Sequence, residues 1–191
     1  DTLQEYPASA GINYQVISAL TNVCFENSTH RKAAGDLGVV ALCIRSMVRH
    51  IEDENVQESG CALLCNLSTQ NRDNKGRIVA EDGVSQILRA MQRHPTPRVT
   101  IKSLAALAHI TANSRAAVGQ LGEDGVRQMV EAMDTHRDDH QVQEKGIVAL
   151  RRVAKEPDMA RLIQQLGFPN IQDDPDRECD GVSSGLTKAA R

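Results

Sequence analysis

Apolar positions along this chain return on a helical spacing, and that spacing itself returns. Ile12, Val16, Ala19, Leu20 and Val23 fall at i, i+4, i+7, i+8 and i+11. The same template fits Val56, Gly60, Leu63, Leu64 and Leu67, then Val99, Ser103, Ala106, Leu107 and Ile110, then Val142, Gly146, Ala149, Leu150 and Val153. Such spacing makes one apolar helix face. Ile17, Cys61, Leu104 and Ile147 widen the stripe to roughly 160° at about 100° per residue. A stripe that wide predicts a helix with neighbours on both sides. Gly60, Ser103 and Gly146, all at the fifth position, would let another helix approach closely. The copies start at Ile12, Val56, Val99 and Val142, a period of 43–44 residues, which predicts a stacked repeat.

A second pattern follows each copy. EDGVSQILRAMQRH at 81–94 matches EDGVRQMVEAMDTH at 123–136, and DLGVVALCIRSMVRH at 36–50 fits with one extra residue. Val84, Ile87, Leu88 and Met91 keep the i, i+3, i+4, i+7 spacing, as do Val126, Met129, Val130 and Met133, and Val40, Cys43, Ile44 and Met47. Gly38, Gly83 and Gly125 stand before these runs, where a left-handed turn would separate two helices. Short helices are expected at 30–37, 75–82 and 114–122, with Asn71, Asn74, Asn113 and Ser114 as caps. In the fourth copy Pro157-Asp158 starts the corresponding segment and Gly167 closes it; Pro95 and Pro97 punctuate an earlier joint.

Three helices per 43-residue unit, with Gly between the first and second, resemble the armadillo layout. GCALLCNLS, SLAALAHIT and GIVALRRVA are similar to the armadillo third helix, and EDGVSQILRAM and EDGVRQMVEAM to its second. The Q-E-x-G-C wording resembles arrays found in large leucine-rich-repeat kinases. The resemblance implies an all-α, right-handed α-solenoid of about four repeats over 12–171, starting near 12, 56, 99 and 142, the last incomplete. Residues 1–11 would then be a lead-in or the end of a preceding repeat.

Composition narrows the classes. The 191 residues are 40% apolar and 25% charged, with only Tyr6, Tyr14, Phe25 and Phe168 as aromatics. An aliphatic core without aromatics suits close-packed helices better than sheets. The formal net charge of −3 offers no basic field to nucleic acid or an anionic membrane. No apolar run approaches the ~20 residues of a bilayer span. DTLQEYPASAG has neither the basic nor the apolar region of a signal peptide, and without an initial Met it reads as a processed chain or part of a longer one. Cys24, Cys43, Cys61, Cys65 and Cys179 include no C-x-x-C pair, which fits free thiols and a cytoplasmic setting. Nuclear or cytoskeletal placement stays open. Cys61 and Cys65 read as small residues on a packed helix rather than metal ligands.

In armadillo proteins the third helices line a groove that holds a partner polypeptide. The resemblance therefore points to the face outside the apolar stripe, at positions 3, 4, 7, 10 and 11 of each copy. Position 4 is Gln15, Ser59, Lys102 and Lys145; position 11 is Asn22, Asn66, His109 and Arg152, with Arg151 just before it. Asn at position 11 matches the family's groove Asn, whose amide can hold a partner's backbone. Position 7, where nuclear-import members place Trp, is Ser18, Ala62, Ala105 and Val148, which argues against reading basic signals. The basic residues Lys102, His109, Lys145, Arg151 and Arg152 predict an acidic segment on the partner. His50, His94 and His136 form a ladder at helix C-termini, where a positive imidazole is favoured.

Other motifs lack their context. Gly181-Val182-Ser183-Ser184-Gly185 matches a nucleophile elbow by letter, without the flanking strand and helix. Asp176, Glu178 and Asp180 imitate a calcium loop whose twelfth position is Thr187 instead of Glu. Asn27-Ser28-Thr29 and Asn66-Leu67-Ser68 fit a glycosylation pattern but carry little weight without a secretory signal. No phosphate loop, zinc motif or carboxylate pair stands out, so neither catalysis nor a cofactor is expected. Residues 172–191 lose the period and read as a flexible polar tail or linker, one acidic enough to fold back over the basic face. The function expected is a protein-interaction scaffold, standing alone or as a subunit of a larger assembly. The alternatives are a regulatory armadillo segment of a multidomain signalling enzyme and an armadillo-like exchange factor for small GTPases.

Overall fold

The computed structural model describes residues 5–171. The tail, Cys179 and the two letter motifs at 176–187 lie outside the described residues. Among the described residues ten helices follow one another: α1 Ala10–Cys24, α2 Ser28–Asp36, α3 Val39–Arg49, α4 Glu54–Ser68, α5 Arg72–Ala80, α6 Gly83–Arg93, α7 Pro97–Thr111, α8 Arg115–Thr135, α9 His140–Val153 and α10 Pro157–Gln165. No strand occurs among the described residues. The chain is an all-helical, helical-repeat protein. No described helix is long and apolar enough to cross a membrane.

Polar side chains start most helices. Ser9, Asn27, Asp53, Asn71, Ser114 and Asp139 each accept a first-turn backbone N–H, which the helix itself cannot satisfy. Asn74 and Asn113, read as caps, do other work. Asn74 is fully buried and donates to Arg31 O and Leu67 O, both at 2.9 Å, tying α5 to α2 and α4. Asn113 takes a left-handed φ of 56°, as Glu26 and Gln70 do one residue before the caps Asn27 and Asn71. The glycine reading needs a similar correction. Gly38 is left-handed as expected, at φ 77°. In the next copy Asp82 makes that turn, at φ 57°, and Gly122 breaks α8 at φ 61°. Gly83 and Gly125 are there for space: an added Cβ would lie 2.6 Å from Ile78 Cγ2 or Leu121 Cδ1.

The long helices α1, α4, α7 and α9 pack side by side in that order. Each of the last three also rests on the helix before it, α4 on α3, α7 on α6 and α9 on α8. The apolar stripe is fully buried where a helix has both neighbours: Val56, Cys61, Leu63, Leu64 and Leu67 on α4, and Val99, Leu104, Ala106, Leu107 and Ile110 on α7. Of the apolar stripe on α1 only Ile17 is fully buried; Ile12, Val16 and Leu20 are half-buried, and Val23 is 52% exposed. The ladder ends at α1, so one flank of its stripe has no helix to meet. Phe25 and Leu37 are exposed at the same end, at 61% and 78%.

The phrase shared by VQESG and VQEKG has a physical meaning at each letter. Val56 and Val142 fill the core. Gln57 Nε2 donates to Met47 O and His50 O at 2.9 and 2.8 Å, and Gln143 Nε2 to Met133 O and His136 O at 2.7 and 3.1 Å. These are carbonyls left open at the end of the preceding helix. Gly60 and Gly146 receive Met47 and Met133, whose side chains would stand 2.5 and 2.3 Å from an added Cβ. Asn13 fills the Gln position on α1 and donates to Tyr6 O and Ser9 O. Thr100 fills it on α7, where its buried hydroxyl finds no partner among the described residues.

Candidate functional site

Every proposed face residue sits on the long-helix ladder, because one helical register recurs on four helices packed side by side. Gln15 and Asn22 are exposed on α1, and Lys102 is exposed on α7. His109, Lys145, Arg151 and Arg152 are half-buried. Ser59 departs from the expected open position: it is 8% exposed, with its hydroxyl turned back to Val56 O at 3.2 Å. Asn66 is half-buried and gives its amide to Thr21 O on the preceding helix at 3.0 Å. That donor therefore joins two helices of the ladder. His109 Nδ1 lies 3.4 Å from Oγ1 of Thr69, the residue that caps the C-terminus of α4.

An open cavity of about 240 Å³ lies across α1 and α4, lined by Tyr14, Ser18, Asn22, Glu58, Ser59 and Ala62. Its rim is completed by Arg98 from the first turn of α7, which donates to Glu58 in an ion pair. The ladder thus brings Asn22 and Ser59 together and leaves Gln15 outside. The small side chains at position 7, Ser18 and Ala62, leave the volume open. Tyr14 and Glu58 stand at position 3 of the face read from sequence, though neither was singled out there, and Arg98, one residue before its copy, lay outside it. A charge-pair spacing of 40–41 residues would have found the Glu58–Arg98 pair, because it recurs in Asp36–Arg77, Glu52–Arg93, Glu58–Arg98 and Arg115–Glu156. A step just short of one period carries each partner onto the neighbouring layer.

Further along the ladder the charge changes. Lys102 and Lys145 both act on the Cys65 thiol, which burial nonetheless pushes up to about 11. Lys145 also pairs with Glu144 at 2.9 Å, holding that carboxyl below its usual range. The basic region is thus partly neutralised from within. Burial pushes Cys61 up to about 12 and raises Cys43 and Cys24, so none of these thiols is poised as a nucleophile. Among the described residues, no group of three His, Cys, Asp or Glu could hold a metal ion. Two of the three ladder histidines act as staples, while His136 Nε2 is buried without a partner among the described residues. His50 Nε2 donates to Pro7 O at 2.8 Å and His94 Nε2 to Ile51 O at 2.7 Å, each reaching back 43 residues.

No known protein family and no curated protein matches the chain. It is similar in fold to the crystal structure of an engineered protein from the Northeast Structural Genomics Consortium, with a TM-score of 0.77 and 20% identity. That similarity covers 89% of this chain and 67% of the other.

Proposed function

We propose that the chain is an armadillo-type α-solenoid of about four three-helix repeats, and that it works as a non-catalytic scaffold. It holds a partner polypeptide along the face shared by α1, α4, α7 and α9. The observation that carries this reading is the continuity of that face: one register of non-core positions runs over four adjacent helices and opens into the cavity beside Asn22, Ser18 and Ala62. A partner segment lying across the helices would place a side chain in that cavity. Its acidic positions would face Lys102, Lys145 and Arg152.

Capture of partners from a cell extract, quantified by mass spectrometry, tests the reading. Ser18→Arg and Ala62→Arg fill the cavity and should reduce the specific partner about tenfold, a loss typical of a blocked central contact. Arg127→Ala, exposed on α8, should leave it unchanged. Equal capture by all three variants would refute the face as the binding surface. Charge reversal at Lys145 and Arg152 tests the acidic preference separately, and unchanged affinity would remove it.

A further inference from the structure

The N-termini of α2 and α5 open onto one cavity of about 420 Å³ at the joint between the first two layers. Ser28, Thr29 and Arg31 bound it on one side, and Thr69, Arg72 and Asp73 on the other. Asn27 and Asn71 cap the third N–H of their helices, leaving the N–H groups of Ser28, Thr29, Arg72 and Asp73 without partners inside the helix. Two positive helix ends thus share one space, and each is a general site for anions.

The second observation is Arg31. It is 8% exposed, forms no ion pair among the described residues, and its Nε is buried without a hydrogen-bond acceptor. A buried Nε–H of a charged group left in that state is costly unless an acceptor completes it, and an anion in the cavity that Arg31 lines would do so. The equivalent residues at later joints carry no such demand. Lys75 donates to Ala112 O at 2.8 Å, and Val118 and Ala160 are apolar and buried. Lys32 also lines the cavity but is held by Asp36 at 2.7 Å.

We infer that this cavity binds a phosphoryl group, either free phosphate or a phosphomonoester carried by a partner's side chain. A tetrahedral oxyanion has enough oxygens to engage Arg31, the two sets of first-turn N–H groups, and the hydroxyls of Ser28 and Thr29 together, whereas the Thr69 hydroxyl is already given to Cys65 O at 2.9 Å; a carboxylate has two oxygens. Asp73 is the one carboxylate lining the cavity, and it opposes the anion. The site stands apart from the long-helix face and does not depend on it.

Titration of the ¹⁵N-labelled chain with inorganic phosphate and with O-phosphoserine, at matched ionic strength in chloride, tests the assignment by NMR. The amides of Ser28, Thr29, Arg72 and Asp73 should shift. Arg31→Gln should bind about tenfold more weakly, the loss of one charged hydrogen-bonding group. Asp73→Asn should bind about threefold more tightly once the like charge is gone, a gain that misfolding cannot mimic. Arg161→Gln, exposed on α10, should bind as the unaltered chain does. A response to O-phosphoserine but not to phosphate assigns the group to a partner side chain, and a response to both shows that the free ion suffices. Equal affinity in Arg31→Gln, or the same shifts with chloride alone, overturns the inference.

Discussion

Gln57 offers the sharpest test of how the layers are joined. Its side chain is fully buried, and Nε2 divides its two protons between Met47 O and His50 O. His50 O has a second donor in Asp53 N at 3.0 Å, whereas Met47 O sits in the open last turn of α3 and depends on Gln57. Gln57→Met keeps the length and volume of the side chain while removing the amide. One buried carbonyl then loses its partner, at about 1–3 kcal/mol, and Gln86 Nε2 loses an acceptor at 3.4 Å. The gain from burying a thioether offsets part of this. The net loss should be about 2 kcal/mol. Gln143→Met is the internal control: it bonds the equivalent carbonyls, yet Gln143 is half-buried, so water can replace its amide and the loss should stay below about 1 kcal/mol. Urea unfolding followed by far-ultraviolet circular dichroism measures both, provided the slope against urea is unchanged. If Gln57→Met costs no more than Gln143→Met, burial does not set the strength of this joint and the reasoning fails.

Two further outcomes follow from the interior. Thr100→Val removes a buried hydroxyl that has no partner and should stabilise the fold by about 1 kcal/mol in the same urea assay; a loss instead would mean the hydroxyl is satisfied. Alkali should destabilise the protein, because burial raises Cys61 to about 12 and Cys65 to about 11 from an ordinary value of 9.0. Below that value both folded and unfolded chains keep the thiol proton, so the stabilisation is complete. Above it the unfolded chain loses protons first, and stability falls by at most about 1.4 kcal/mol per pH unit per thiol until the folded thiols titrate. Urea midpoints at about pH 8 and pH 10.5 check this, and Cys61→Ala should flatten the decline; equal midpoints would contradict it.

The helices and their order were legible in the residues because burial on a helix has its own period. Val56, Leu63, Leu64 and Leu67 announced α4, and the 43-residue return announced that further helices would stack on it. Small residues at the fifth position likewise marked a close approach, and Met47 and Met133 are what approaches. The exchange of roles between glycines and their neighbours was not legible. A left-handed turn tolerates Asp82, and a glycine at 83 or 125 answers a contact with Ile78 or Leu121 that sequence spacing cannot measure.

The candidate face divides along the same line. Its location followed from the stripe, since whatever faces away from the core on four parallel registers must share a surface. Which of those residues stand free was decided by neighbours from other layers. Asn66 gives its amide to Thr21, Ser59 folds back on Val56, and Arg98 arrives from α7 to close a cavity begun on α1. Arg31 shows the limit most plainly. In the sequence it is one charged residue on a polar nine-residue helix; only the packing of α2 against α4 and α5 buries it beside a second helix end. Periodicity records which side of a helix meets the core, because that choice is repeated many times along the chain. A hydrogen bond or a cavity depends on two or three particular atoms brought together from distant segments, and no repetition records that.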